Sequence, residues 1–423
     1  MHQHQSFNLS ATAKRGGLLI WLMTILSAMA ASAQEWTRFR GPNGAGHGDA
    51  TIPLKWTDKD FNWKVAVPGV GHSSPVLWGD RLFLTSGEPK AGKQLVLCFN
   101  ATDGKMLWQR DFETKSYKMH KRNSYATSTS TVDDQRLYVA SVTPDDYAVR
   151  ALDHNGNDVW QISLGTYKVQ HGFGASLTLF EDLLILPNEP NGDGSLIAVE
   201  AATGKVRWKT PRHGKNETYS TPCVYQPKGK PPELIFTNWQ HGITAIDPKT
   251  GKVNWEISVF EPQKPERAIA SPIIAGDLVV GTCGFVTLQK HFVAVRPYGQ
   301  DGKPKEVWRL EKDVSYLPTP LVKDEWVFCC SEKGIGTCLH AATGKVLWQE
   351  RIGGSFSGSP VCIGDRLYFV ADNGKVVTLA AKDQLEILAE NQLGEPTQCT
   401  PALANGRMYF RAEAHLISLG GKK

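Results

Sequence analysis

The chain has 423 residues, with 47 Lys and Arg against 42 Asp and Glu for a formal net charge of +5; 41% are hydrophobic and 21% charged, with 40 Gly and 24 Pro. This is the composition of a soluble globular protein. It excludes a disordered chain, a collagen-like chain and a polytopic membrane protein, and the small, scattered charge excess leaves no footprint for nucleic acid.

The N-terminus reads as an export signal. Lys14 and Arg15 precede an apolar run over 18–29, and Ala31-Ser32-Ala33 closes the segment before Gln34. A basic start, a short apolar stretch and an A-x-A ending form a secretory signal peptide. The run is shorter than the roughly 20 residues of a membrane span. Cleavage after Ala33 removes two cations and no acid, leaving a mature charge of +3 and no integral membrane span. The expected location is periplasmic or extracellular, where disulfides are permitted. Residues 34–62 read as an N-terminal extension and 63–423 as the folded body.

From residue 63 onward one motif recurs: a small residue, a Gly-containing hairpin, then Trp. It runs Ala101-Thr102-Asp103-Gly104-Lys105 to Trp108, Ala151-Leu152-Asp153 to Trp160, Ala198-Val199-Glu200 to Trp208 and Ala245-Ile246-Asp247 to Trp255. Further copies end at Trp308 and Trp348, and a worn copy after Ala380 ends at Leu388. A second landmark runs in phase. Ser-Pro or Thr-Pro opens apolar strands at Ser74, Thr221, Ser271, Thr319, Ser359 and Thr400, with Thr129 and Ser176 filling the gaps. Between landmarks lie short alternating strands bounded by Gly-Asp and Thr-Gly turns, with no sustained helical period. Four strands per 40–50 residues is the pattern of a β-propeller blade.

The eight Ser/Thr landmarks predict eight four-stranded antiparallel blades. Trp63 stands 11 residues before Ser74, as Trp308 and Trp348 stand before Thr319 and Ser359. Trp63 therefore belongs to an outer strand whose partners come from residues 400–419, so that both chain ends share the last blade. Trp63, Trp108, Trp160, Trp208, Trp255, Trp308 and Trp348 read as structural wedges between blades, each a large apolar plate with one N–H donor.

The pattern A-x-D-x-x-T-G-K-x-x-W resembles the tryptophan-docking repeat of pyrroloquinoline-quinone (PQQ)-type propellers, over all of 63–423. The opening Trp36-Thr37-Arg38-Phe39-Arg40-Gly41-Pro42-Asn43-Gly44 is similar to the start of secreted members. The resemblance implies an eight-bladed propeller. It leaves two functions, since the superfamily holds quinoprotein dehydrogenases and non-catalytic relatives such as the propeller of the bacterial outer-membrane assembly machine. The chain is shorter than typical quinoprotein dehydrogenases and has no C-x-x-C-H haem motif. Cys329-Cys330 matches their adjacent-cysteine hallmark, but it sits in Trp326-Val327-Phe328-Cys329-Cys330, a strand by pattern, where neighbouring Cβ atoms point to opposite faces. The resemblance therefore implies a non-catalytic binding scaffold with no predicted cofactor; the alternative is a dehydrogenase using PQQ with calcium.

Other chemistry is scarce. There is no G-x-S-x-G, H-E-x-x-H, P-loop or C-x-x-C. Asn188, Asn191 and Asp193 fit hairpin chemistry better than a calcium loop, and no metal site is expected. Connectivity among the eight Cys stays open, pairing of Cys329 or Cys330 with Cys338 included.

Loop length locates a binding face. From Trp to the next Ser/Thr landmark the spacing is 11 or 12 in four blades, but 21, 16, 13 and 16 after Trp108, Trp160, Trp208 and Trp255. Four consecutive blades thus carry a raised lip. The longest loop is basic and aromatic, with Lys118, His120, Lys121, Arg122 and Tyr125. With His72, His171, Tyr219, Arg267 and Tyr316 at the funnel, it is the expected binding surface for a protein or an acidic small molecule. The chain is expected to act as a monomer.

Overall fold

The computed structural model describes residues 35–421 apart from 121, 169, 262–265 and 286–288. The proposed signal peptide lies outside them, and no described helix is long and apolar enough to cross a membrane. Eight four-stranded sheets form, every neighbouring pair antiparallel. Blades one to seven take residues 76–113, 131–163, 178–214, 223–257, 273–310, 321–351 and 361–392 in chain order. Blade eight joins Ala402–Ala404, Arg407–Arg411 and His415–Gly420 to Phe61–Ala66, with Trp63 paired to Ser418. Closure by both chain ends removes a free edge that would otherwise invite mispairing.

The repeat has a local cause. Each outer Trp faces a small residue across the ladder: Cys98 for Trp108, Ala151 for Trp160, Ala198 for Trp208, Ala245 for Trp255, Ala294 for Trp308 and Cys338 for Trp348. A register shift follows at each of those positions, and such a bulge increases local twist. The indole then crosses to the next blade. Trp108 donates to His154 O, Trp160 to Ala201 O, Trp208 to Pro248 O and Trp308 to Ala341 O, at 2.8–2.9 Å. Trp63 and Trp348 reach Ala101 O and Lys382 O in the same way. Each glycine beneath such a ring has a positive φ; a Cβ on Gly251 would stand 2.6 Å from Trp208. Only glycine tolerates both conditions.

Two copies depart from this pattern. Trp255 turns its N–H to Glu233 Oε2 within its own blade, because the following blade's hairpin, 297–304, is longer and inserts Tyr298 beside it. In blade seven the position facing the bulge is Ala389, not Leu388: Thr378 pairs with Ala389. The spacing to Thr400 is then 11, as in the other short connections.

Residues 35–60 form a strap along the channel. Trp36, fully buried, bridges to Leu77 of blade one. Asn43 exchanges two hydrogen bonds with the Val224 backbone, at 2.7 and 2.8 Å. Cys362 N donates to Gly46 O, Gly48 N to Cys362 O and Thr51 N to Gly406 O. The strap thus touches blades one, two, four, six, seven and eight, chiefly through inner strands.

Candidate functional site

The landmark hydroxyls line the central channel and are linked around it. The backbone N–H of Ser74 donates to Thr129 Oγ1, Thr129 to Ser176 Oγ, Ser176 to Thr221 Oγ1 and Thr221 to Ser271 Oγ, at 3.0–3.1 Å. Ser271 to Thr319, Thr319 to Ser359 and Ser359 to Thr400 continue it at 2.9–3.0 Å. A short hydroxyl side chain at this point is what allows each blade to grip the next. The pattern read as a strand opener is also a girdle.

All eight landmark residues line one cavity of about 280 Å³. The strap contributes Phe39 to its lining. Arg38 donates to Pro222 O at 2.6 Å and Arg40 to Pro360 O at 3.2 Å. Those carbonyls immediately follow landmark residues, so the strap closes the channel on the side away from the loops. The cavity is a blind funnel.

Its wall comes from the loops preceding the landmarks. His72, His120, Arg122, His171, Tyr219, Arg267 and Tyr316 all line it. Lys118 and Tyr125 are not in the lining; Lys118 is exposed, and Tyr125 packs edge-on against Tyr117 at 5.4 Å, holding the loop's shape. Lys121 lies outside the described residues.

Behind the wall stands Glu217, which the sequence reading missed. Its Oε1 accepts from Tyr219 Oη at 2.7 Å and from His171 N at 3.2 Å, and lies 3.1 Å from His171 Nδ1. Arg267 Nε is 3.8 Å away, and the carboxylate is fully sealed from solvent. Burial alone would raise its pKa; the Tyr219 hydroxyl, a backbone amide and the Arg267 charge outweigh that and hold it below the ordinary carboxylate value. Burial, then the Glu217 charge, push the Tyr219 phenol far up, so it remains a donor. Burial, and secondarily the Arg411 charge, bring His72 down to about 4, leaving it neutral at pH 7. Nothing in Asn216-Glu217-Thr218-Tyr219 separates that carboxylate from an ordinary hairpin residue.

The donor set tests the cofactor alternative. A calcium-bound quinone needs an oxygen-rich anionic cage. Among the described residues the lining holds imidazoles, guanidinium groups and hydroxyls but no Asp or Glu. No described group of three or more His, Cys, Asp or Glu is placed to hold a metal. Cys329 and Cys330 lie in the strand Trp326–Cys330, each fully buried, one facing blade five and the other blade seven. The eight cysteines are all free and buried. These residues do not fit a calcium–quinone site.

The family model described as outer membrane protein assembly factor BamB matches residues 7–231, 232–350, 293–387 and 334–419. The chain belongs to this family. BamB of Yersinia pestis is 24% identical over 365 residues, 84% of this chain and 77% of the relative. BamB of Moranella endobia is 24% identical over 290 residues, 66% of this chain and 71% of the relative. Among solved structures, BamB from Moraxella catarrhalis superposes with a TM-score of 0.59 at 16% identity, covering 85% of this chain and 98% of that one. A europium-containing methanol dehydrogenase gives 0.66 at 10% identity, covering 92% of this chain and 98% of that one. At these identities the structural likenesses establish the eight-bladed fold alone.

Proposed function

We propose that this BamB-family chain is an exported, monomeric, non-catalytic propeller that binds protein through its funnel face, in the assembly of outer membrane proteins. The observation that carries the reading is the blind funnel: its described lining has recognition groups but no carboxylate placed to act as acid, base or metal ligand. Glycoside hydrolysis uses a pair of carboxylates at the reacting centre and a calcium-bound quinone an oxygen-rich anionic cage, and the described lining supplies neither. Membership in a family described as an outer membrane protein assembly factor supports the class of partner. The raised, basic lip supports the face.

A photo-crosslinking side chain at Arg122 or at Lys118, in the native cell envelope, tests it. Discrete protein adducts are expected from these lip positions and not from exposed Lys345 in the hairpin 341–345. Equal adducts from both faces, or none from the lip, would overturn the reading.

A further inference from the structure

The channel buries three guanidinium groups whose bonded partners are neutral. Arg38, Arg40 and Arg411 are 6%, 0% and 1% exposed. Their partners are carbonyls and hydroxyls: Pro222 O for Arg38, Gly44 O and Pro360 O for Arg40, Thr85 O, Ser73 and Ser86 for Arg411. The Nε of each has no hydrogen-bond partner among the described residues. Burial, the leading influence on each, brings Arg38 down to about 10 and Arg40 to about 9, so both remain charged at neutrality. Buried charges lacking a counter-ion are costly, and a fold that keeps them presents a strong local field.

That field acts on a cavity built to receive an anion. Arg267 and exposed Arg122 stand in the wall, and the hydroxyl girdle lines the channel beneath them. Each linked girdle oxygen accepts a backbone N–H, which leaves the hydroxyl proton available to a ligand. Convergent neutral donors with guanidinium groups behind them are the chemistry of carboxylate recognition. Among the described residues, carboxylates beside the wall do not line the cavity: Glu217 is sealed behind Tyr219 and His171, and Asp372 accepts from Ser357. Phe285, Leu317 and Tyr316 add an apolar and aromatic stretch to the lining.

We propose that the funnel is a receptor for a carboxylate: an acidic group enters past the lip and is held by Arg267, Arg122 and the girdle hydroxyls. The inference rests on the funnel being the binding face. The carboxylate comes either from an acidic segment of the partner protein or from a free organic acid.

Isothermal titration calorimetry with two probes, citrate and a five-residue polyglutamate peptide, separates these sources. Saturable binding of at least one probe is expected, weakened about tenfold or more by Arg122→Gln and by Arg267→Gln. Arg122 is exposed, so its variant keeps the test informative should Arg267→Gln fold poorly. Binding of citrate alone assigns a free acid; tighter binding of the peptide assigns a protein segment. Absence of saturable heat with both probes, or unchanged affinity in Arg122→Gln, overturns the carboxylate proposal. Lip crosslinks that persist in that case would leave the docking face standing without it.

Discussion

The tryptophan–glycine contact between blades gives a prediction that can be worked from coordinates. Gly302 and Gly344 sit in the hairpins that join corresponding strands of successive blades, with nearly equal φ, +74° and +71°. A Cβ on Gly302 would meet nothing within 4 Å, whereas one on Gly344 would stand 2.6 Å from Trp308 Cγ. Alanine at either site is forced into a left-handed backbone, which costs about 1–2 kcal/mol. At Gly344 the ring must also move. It sits edge-on to Phe292 at 5.5 Å and is anchored by its 2.8 Å bond to Ala341 O, so displacement adds about 1–3 kcal/mol of overpacking. Gly344→Ala should therefore cost about 2–5 kcal/mol, and Gly302→Ala only the first part. In a Trp308→Ala background the excess should vanish, a coupling of about 1–3 kcal/mol. Urea unfolding followed by far-UV circular dichroism measures the parent, the three single variants and the Gly344→Ala/Trp308→Ala double variant. Equal losses from the two glycine substitutions would refute the idea that Trp308 docks on the neighbouring hairpin.

Acid should act on the blade-three to blade-four junction. Burial raises the Glu256 pKa, but bonds from His241 and Thr244 and the Arg212 charge bring it down to about 2. A depressed carboxylate stabilises the fold above its unfolded value near 4.5 and loses that contribution as pH falls towards 2; Glu256→Gln should flatten the urea midpoint over that range relative to the parent protein. Thiol chemistry should be silent in the native state: a thiol-reactive dye should label none of the eight cysteines before unfolding and all of them in denaturant, and rapid native labelling would contradict their burial.

Blade count, blade closure and the funnel wall were legible because each is carried by a pattern repeated once per blade. A hairpin glycine, a small residue across from Trp and a hydroxyl at the inner-strand start answer local demands, so they survive in the sequence as periodic marks. The position of Ala389 was misread by one residue because that blade has lost its Trp and only the bulge register identifies its place. The hydrogen-bond partner of Trp255 was not legible for another reason: the length of the hairpin 297–304 decides it, and its own motif looks intact. Glu217 was invisible since its role depends on Tyr219, His171 and Arg267 converging from three loops. The strap was equally opaque. Arg38 and Arg40 resemble surface cations in a polar stretch, and only the channel carbonyls of Pro222 and Pro360 make them interior.

The strap also sets an order of events. Chains emerge from the ribosome N-terminus first, and domains fold as their contacts become available. Residues 35–66 are made before any blade, yet Arg38 needs Pro222, Asn43 needs Val224, Arg40 needs Pro360, and Trp63 needs Ser418. The earliest segment must therefore wait for the latest. Until the final strand arrives, the nascent wheel stays open with two unpaired edges and a hollow axle, and everything synthesised before that point depends on being kept from its neighbours.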